Sequence, residues 1–254
     1  MEEMLKEFAR RMGADLVGLA SAWRLEGAPE GSRPGDSLEG ARTVIILGKT
    51  LPRGVMLGKK RTNYHQFMNS TFIQLEQLAS EVARFIEAAG GQAVPVPADI
   101  PYDFWDEERE HGRGNLSHKH AAQAAGLGVM GRNTLLITPR HGNRVHLVSV
   151  ITDLELEPDQ PLDWNPCPDG CRLCLEACPV GAIIWEGDSG EDVAGGKLEQ
   201  TAGPGGFGSG GFGAGGPGAG GRVDQKLCRS LLIRPIGRWK VYNCWECRKV
   251  CPVS

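Results

Sequence analysis

No cysteine occurs before position 167 of this 254-residue chain, and all eight of its cysteines fall between Cys167 and Cys251. That absence removes thiol chemistry from the first two-thirds and marks the remainder as a site. Long apolar runs are missing too; nothing approaches the roughly 20 residues that a membrane-spanning helix needs. Neither sign of charge dominates, with 28 Lys and Arg against 31 Asp and Glu for a net charge of −3. This balance argues against a chain whose main task is to grip a phosphate backbone. The opening MEEMLKEFARRMG is a charged amphipathic helix without the apolar core of an export signal. The expectation is a cytoplasmic protein with no membrane partner, whose thiols stay reduced rather than paired.

The cysteines fall into two groups: Cys167-Pro-Asp-Gly-Cys171-Arg-Leu-Cys174-Leu-Glu-Ala-Cys178-Pro179, and Cys244-Trp-Glu-Cys247-Arg-Lys-Val-Cys251-Pro252, with Cys228 between them. Both groups end in C-x2-C-x3-C-P. The C-x2-C step lets a tight loop present two thiolates to one cluster, and the cysteine before proline is carried away to the other cluster. By this rule Cys167, Cys171, Cys174 and Cys251 hold one 4Fe-4S cluster, and Cys178, Cys228, Cys244 and Cys247 hold a second. One departure is the C-x3-C step from Cys167 to Cys171, where C-x2-C is usual. Two structural zinc ions could also take eight thiolates, although zinc sites pair separate C-x2-C knuckles and have no use for the third cysteine and its proline.

Composition breaks at residues 202–221, AGPGGFGSGGFGAGGPGAGG, which lacks the apolar surface to offset the entropy of ordering it. We expect a flexible insert within a ferredoxin-like module spanning 159–254, preceded by a mixed α+β domain over 1–158. Within that domain, periodicity predicts a helix over 2–12, strands at 15–20 and 43–47, a long helix over 64–89 and a strand at 93–96. A polar acidic loop over 99–115, a helix over about 117–125 and a hairpin from Thr134 to Thr152 follow. Residues 126–131, Gly-Leu-Gly-Val-Met-Gly, match the dinucleotide fingerprint G-x-G-x-x-G. The context is inverted, however, with helix before and strand after, so dinucleotide binding in that mode is not expected. These glycines read instead as a helix cap and a close backbone approach.

The stretch Gly126-Leu-Gly-Val-Met-Gly-Arg-Asn-Thr-Leu-Leu-Ile-Thr-Pro-Arg-His-Gly142, the strand Val148-Ser-Val-Ile-Thr-Asp153 and the cysteine motifs resemble the epoxyqueuosine reductase family and, more distantly, the reductive dehalogenases. Met12-Gly-Ala-Asp-Leu-Val-Gly-Leu-Ala and Arg42-Thr-Val-Ile-Ile-Leu-Gly look similar as well. The resemblance implies a nitroreductase-like α+β domain joined to a two-cluster ferredoxin module, with cobalamin held between them and electrons delivered to its cobalt. It implies that Gly126, Gly128, Gly131, Arg132, Asn133 and Thr134 form part of a corrinoid pocket wall. Two departures stand out. The family's proton-donating aspartate, in a D-S-A-P-like segment, has no counterpart near Gly112, and the helical-repeat tail used towards tRNA is not seen after Cys251. With the acidic balance, these lead to the expectation of a short form that does not act on nucleic acid.

Asp103 and His118, with Tyr102 and His120 beside them, are the candidates for a substitute proton donor. The bland reading places Asp106–Glu110 in a solvated charge run, and Ser117 as an N-cap with His118 and His120 on a helix surface. The leading expectation is an oxygen-sensitive oxidoreductase that takes electrons from a ferredoxin- or flavodoxin-type donor, through two 4Fe-4S clusters and a corrinoid, to a small-molecule substrate. Two rivals remain: a non-catalytic electron-transfer or corrinoid-reducing partner protein, and a reductase with FMN in place of the corrinoid.

Overall fold

The computed structural model describes residues 1–108, 111–185, 221–232, 234–236, 239–241 and 244–253. The glycine-rich stretch 202–221, apart from Gly221, lies outside the described residues.

Helix α1 (Glu2–Arg11) buries Leu5 and Ala9, sets acids in its first turn and arginines in its last to complement the helix dipole, and ends at Gly13 with φ 101°. Strand β1 (Leu16–Ser21) pairs antiparallel with β2 (Thr43–Thr50). Two short helical turns, Pro34–Ser37 and Arg53–Leu57, flank β2. Helix α2 (Arg61–Ala88) buries Tyr64, Met68, Thr71, Leu75, Leu78, Val82 and Ile86, a three-or-four spacing that defines one face. Strand β3 (Ala93–Val96) follows, then a short hairpin of β4 (Phe104–Asp106) and β5 (His111–Arg113). Helix α3 (His118–Ala124) leads into β6 (Val129–Met130), β7 (Leu136–Ile137) and β8 (Val145–Thr152).

The main sheet runs β1-β2-β8-β3 and is antiparallel throughout. Its two faces are both covered. Leu19, Ile45, Leu47, Val148 and Val150 pack with α1 and α2, while Ala20, Val44, Ile46, Leu147 and Ile151 pack with Ala121 and Ala122 of α3. Alternate residues of a strand face opposite ways, so a strand covered on both faces is apolar at successive positions. That explains the unbroken run Val44–Leu47.

Two expectations need correction. Thr134–Thr152 is not a hairpin: β7 pairs with β6, and β8 lies between β2 and β3, pairing with β2 along its whole length from Thr43↔Thr152 to Thr50↔Val145. The turn at Pro139–Asn143 does form, closed by an antiparallel bridge between Thr138 and Gly142. Seven of the eight β8 residues are buried, and one partner strand could not shield both faces and both edges. The segment 99–115 is likewise not just a loop. It carries the β4–β5 hairpin, where Phe104 sits opposite Arg113 with the guanidinium 4.5 Å from the ring centroid.

In the cysteine-bearing part, α4 (Leu173–Glu176) follows Arg172, and β9 (Ile183–Trp185) pairs with β10 (Gly221–Val223). Helix α5 (Gln225–Leu232) carries Cys228, and β11 (Arg234–Ile236) pairs with β12 (Trp239–Val241) before α6 (Glu246–Lys249). Trp245 is 5% exposed and fixes this part to the rest: its ring stacks on Tyr64 at 4.8 Å, and its Nε1 donates to the Met56 carbonyl at 3.1 Å. Among the described residues no helix is long and apolar enough to cross a membrane.

Candidate functional site

The eight cysteines form no disulfide among the described residues. They divide into two neighbourhoods. Cys167, Cys171, Cys174 and Cys251 line one small recess, together with Arg132, Asn133 and Ile137. Burial first, then the neighbouring thiols of Cys167, Cys171 and Cys251, push Cys174 up to about 11. Burial, followed by Cys244 and Cys178, pushes Cys228 up to about 11. Burial also pushes Cys247 up to about 12, against the opposing charge of Arg248 and with Cys244 and Cys228 adding to the rise. Each neighbourhood thus draws on both halves of the cysteine-bearing part. Thiols held up in this way deprotonate on meeting a metal, whose charge outweighs the burial cost. No three His, Cys, Asp or Glu side chains among the described residues form the tight arrangement that holds a single ion.

The extra residue in the C-x3-C step has a local explanation. Cys171 N donates to the Pro168 carbonyl at 3.1 Å, closing a four-residue turn whose third residue, Gly170, has φ 68°. A turn with a positive φ at that position favours glycine, and it brings Cys171 back towards Cys167. The Cys178 sulfur accepts from Ala182 N at 3.2 Å.

A cavity of about 600 Å³, lined by none of the cysteines, is bounded by α3, β6, β7, β8 and β10, and by Arg248 of α6, the residue that follows Cys247. Phe72, Leu116, Val129, Met130, Leu136 and Leu147 supply apolar wall. Its charged lining is Arg113, Lys119, Arg222 and Arg248 against Asp99, a cationic excess within an acidic chain. Lys119 Nζ donates to the Thr134 carbonyl at 2.9 Å, and burial pulls its ammonium down to about 8. His146 packs edge-on against Phe72 at 4.9 Å; its Nε2 is buried without a hydrogen-bond partner, as is Asn143 Oδ1.

The predicted site residues separate at this point. Asp103 is exposed, accepts from Asn115 Nδ2 at 2.7 Å and does not line the cavity. Tyr102 does line it, and its hydroxyl donates to Asp99 at 3.1 Å. His118 lines the cavity but is turned in to the sheet, not out to solvent: Nε2 is 2.8 Å from the Pro97 carbonyl and Nδ1 is 2.9 Å from the Ser149 hydroxyl. A carbonyl accepts only, so Nε2 carries the hydrogen and Nδ1 accepts from Ser149. Burial lowers this histidine from its ordinary range, which holds it neutral. His120 is lowered to about 4 by burial and then by Lys119, and its Nδ1 lies 2.7 Å from Ser117 Oγ. Ser117 does sit at the N-cap position, yet its hydroxyl engages His120 rather than capping the backbone.

Of the loop residues, Thr134 lines the cavity, with φ 58°. Arg132 and Asn133 turn to the cysteine loops instead: Arg132 donates to the Cys171 carbonyl at 2.6 Å and Asn133 Nδ2 to the Cys247 carbonyl at 3.3 Å. Gly126 caps α3 with φ 69°, and a Cβ there would overlap the Gln160 carbonyl; one at Gly128 would overlap the Ile137 carbonyl. The close approach expected of these glycines is therefore made by neighbouring backbone. Sequence reasoning missed Lys119, His146 and Arg248. For Arg248 the signal was its place inside the C-x3-C step, where the flanking cysteines drew the attention.

No family model matches the chain. It is 32% identical over 141 residues to an epoxyqueuosine reductase of Listeria monocytogenes, covering 56% of this chain and 30% of that protein. It is 36% identical over 124 residues to a tetrachloroethene reductive dehalogenase of Dehalobacter restrictus, covering 48% of this chain and 20% of that protein. The chain therefore spans well under half the length of these relatives. Among solved structures, a selenomethionine-labelled epoxyqueuosine reductase matches with a TM-score of 0.59 at 19% identity over 99% of this chain and 65% of its own. A catabolic reductive dehalogenase matches with a TM-score of 0.62 at 20% identity over 99% of this chain and 31% of its own. The mixed α+β fold is thus one shared with both kinds of reductase.

Proposed function

We propose that this chain is an iron–sulfur oxidoreductase that passes electrons through two 4Fe-4S clusters to a corrinoid in the cavity. One cluster is assigned to Cys167, Cys171, Cys174 and Cys251, the other to Cys178, Cys228, Cys244 and Cys247. In this reading residues 1–158 form the nitroreductase-like domain and 159–254 the ferredoxin-like module. The observation that supports the proposal is that thiols from both ends of the module come together: Cys251 with Cys167, Cys171 and Cys174 in one recess, and Cys228 near Cys178, Cys244 and Cys247. The donor set fits cubane clusters, which take four thiolates each. Names of the relatives support the same class, since they are reductases.

The cavity fits a cofactor with a phosphate, because Arg113, Lys119 and Arg222 give it cationic lining and its volume is that of a small-molecule site. A bound corrinoid would supply a cobalt centre that takes electrons one at a time. The protein's own part is to exclude bulk water with the apolar wall and to hold a proton for the substrate. Lys119 Nζ suits that task better than the two candidates read from sequence: it lines the cavity, and at about 8 its proton is retained at neutral pH yet can be given up. Asp103 stands outside the cavity, and both nitrogens of His118 are engaged. We assign the protein to the cytoplasm, a ferredoxin- or flavodoxin-type protein as its electron source, and a small molecule as its substrate.

Anaerobic reconstitution followed by iron counting, electron paramagnetic resonance and cob(II)alamin titration on one sample tests the proposal. About eight irons per chain and a changed cobalt spectrum on binding are expected. An unchanged cobalt spectrum would remove the corrinoid. A yellow chromophore released on denaturation would replace it with FMN, and clusters without either group would leave an electron-transfer protein.

A further inference from the structure

Thr134 holds a backbone conformation that its own side chain makes costly. Its φ of 58° is the one positive value among the described residues that does not belong to a glycine. A β-branched residue is strained there, because its Cβ crowds the adjoining carbonyl. The turn between β6 and β7 imposes the conformation: Thr134 N donates to the Gly131 carbonyl and Gly131 N to the Leu135 carbonyl, each at 2.9 Å. Hairpin turns of this kind place a left-handed residue before the second strand, and glycine is the usual choice. Glycine would meet the need of the backbone here without strain. Strain of this sort collects where a side chain serves a ligand, so the question is what the threonine hydroxyl faces.

Arg132 and Asn133 send their side chains to the cysteine loops, whereas Thr134 lines the cavity. Its N–H and carbonyl are both held, by the Gly131 carbonyl and by Lys119 Nζ, but its hydroxyl has no hydrogen-bond partner among the described residues. Two cations flank it. Lys119 is one. Arg222 is the other: it follows Gly221, where a Cβ would lie 3.1 Å from the Arg132 carbonyl, so β10 packs against the same turn and brings Arg222 into the cavity lining. Neither cation is in an ion pair among the described residues. The other charges of the lining are engaged elsewhere. The Arg113 guanidinium lies over the Phe104 ring, that of Arg248 donates to the Asn143 and Val145 carbonyls, and Asp99 accepts from Tyr102. A hydroxyl between two cations suits an anionic oxygen group. Phosphate, with acceptor oxygens pointing several ways, suits donors that arrive from a turn, a helix and a strand.

We propose that the Thr134 hydroxyl and the Arg222 guanidinium form a phosphate-binding subsite at the β6–β7 turn, and that the strain at Thr134 is retained for that hydroxyl. The inference rests on the reading of the cavity as a cofactor site and narrows it: the cofactor's phosphate ester, a diester in a corrinoid nucleotide or a monoester in FMN, sits at this end. The hydroxyl donates to one phosphate oxygen and the guanidinium to another. No bond forms or breaks.

The test measures anaerobic binding of two pairs of probes to the reconstituted full chain. Cob(II)alamin is set against cob(II)inamide, which lacks the nucleotide and its phosphate, by electron paramagnetic resonance. FMN is set against riboflavin, which lacks the phosphate alone, by flavin fluorescence. In the pair that binds, the wild type should favour the phosphate member at least about tenfold, as expected of hydrogen bonds to a charged group. Thr134→Val keeps the shape without the hydroxyl and should cut that ratio at least about fivefold, by weakening the phosphate member only. Arg222→Gln should cut it likewise, and Thr134→Ser should keep it. Thr134→Gly should lose the preference yet raise the thermal midpoint by about 2 °C or more as the strain is relieved. A wild type without preference in either pair would overturn the inference, a result that needs no variant to fold. So would a valine variant with the wild-type ratio, an equal loss for both members of a pair, or a glycine variant that unfolds before the wild type. Corrinoids that bind equally well with and without phosphate would leave the corrinoid in place and sink the subsite. Flavins binding alone, with a preference that valine abolishes, would keep the subsite and remove the corrinoid, and binding of none of the four would overturn both.

Discussion

Replacing Trp245 with alanine should loosen the cysteine-bearing part from the sheet domain more than any other single truncation outside the cysteines. The indole is almost wholly buried among Leu51, Met56, Tyr64 and Met68. Removing such a side chain costs roughly 3–5 kcal/mol from lost burial and the cavity left behind. The stack on Tyr64 accounts for about 0.5–1.5 kcal/mol of this, and loss of the Nε1 bond to Met56 for about 1 kcal/mol. Trp245→Phe keeps a ring and loses that bond, so about 1–2 kcal/mol is expected. Anaerobic urea unfolding of the reconstituted protein reads the difference. With about 1–3 kcal/mol per molar urea, the alanine variant should unfold at least about 1 M earlier. Tyr64→Ala in a double-mutant cycle should show coupling of at least about 0.5 kcal/mol. An alanine midpoint within about 0.3 M of wild type, or strictly additive effects of the two substitutions, would refute the anchoring role.

Four further outcomes are expected. Deleting residues 251–254 removes Cys251 and should reduce the iron content by about one cluster's worth; two intact cubane signals after the deletion would refute the crossed assignment. His120 stays neutral in the fold down to about 4, whereas the unfolded chain protonates it near 6.5. The unfolded state thus binds more protons between those values, and stability should fall by about 2–3 kcal/mol as pH drops through that window. His120→Gln should flatten that slope in chemical unfolding curves measured at a series of pH values. Gly126→Ala should destabilise the fold clearly in thermal unfolding, because a Cβ there meets the Gln160 carbonyl while φ is 69°. Lys119→Met should depress turnover of any substrate found, whereas Asp103→Asn, at an exposed site outside the cavity, should leave it unchanged in the same assay.

What could be read from the sequence follows from how local each signal is. Helix α1, the buried face of α2 and the strands β1, β2 and β3 are written in short periodic patterns, and they lie close to where the spacing puts them. The cysteine groups are local motifs too. Strand β8 was not legible in the same way. Its apolar residues signalled a strand, but its partners β2 and β3 are about 100 and 50 residues away along the chain, and the nearer β7 was the natural guess. The β4–β5 hairpin was hidden because acids dominate its composition while its aromatic residues and Arg113 do the pairing. His118 shows the limit at the site: a histidine on a polar helix reads as surface, and what turns it inward is Ser149, on a strand 31 residues further on. Arg248 was passed over since no rule of spacing tells a buried cation from an exposed one.

The placement of Cys251 beside Cys167 and Cys171 has a consequence for biosynthesis. A ribosome making 5–20 residues per second takes roughly 4–15 s to travel from Cys174 to Cys251. Through that interval the first neighbourhood holds three thiols and lacks its fourth, while the second fills from none to four and is complete at Cys247, just before the first. On the proposed two-cluster reading, delivery of iron and sulfide is thereby ordered in time: it follows translation of Cys247 for one set and of Cys251 for the other, and metal loading becomes a late check on whether the chain has been made through to those residues.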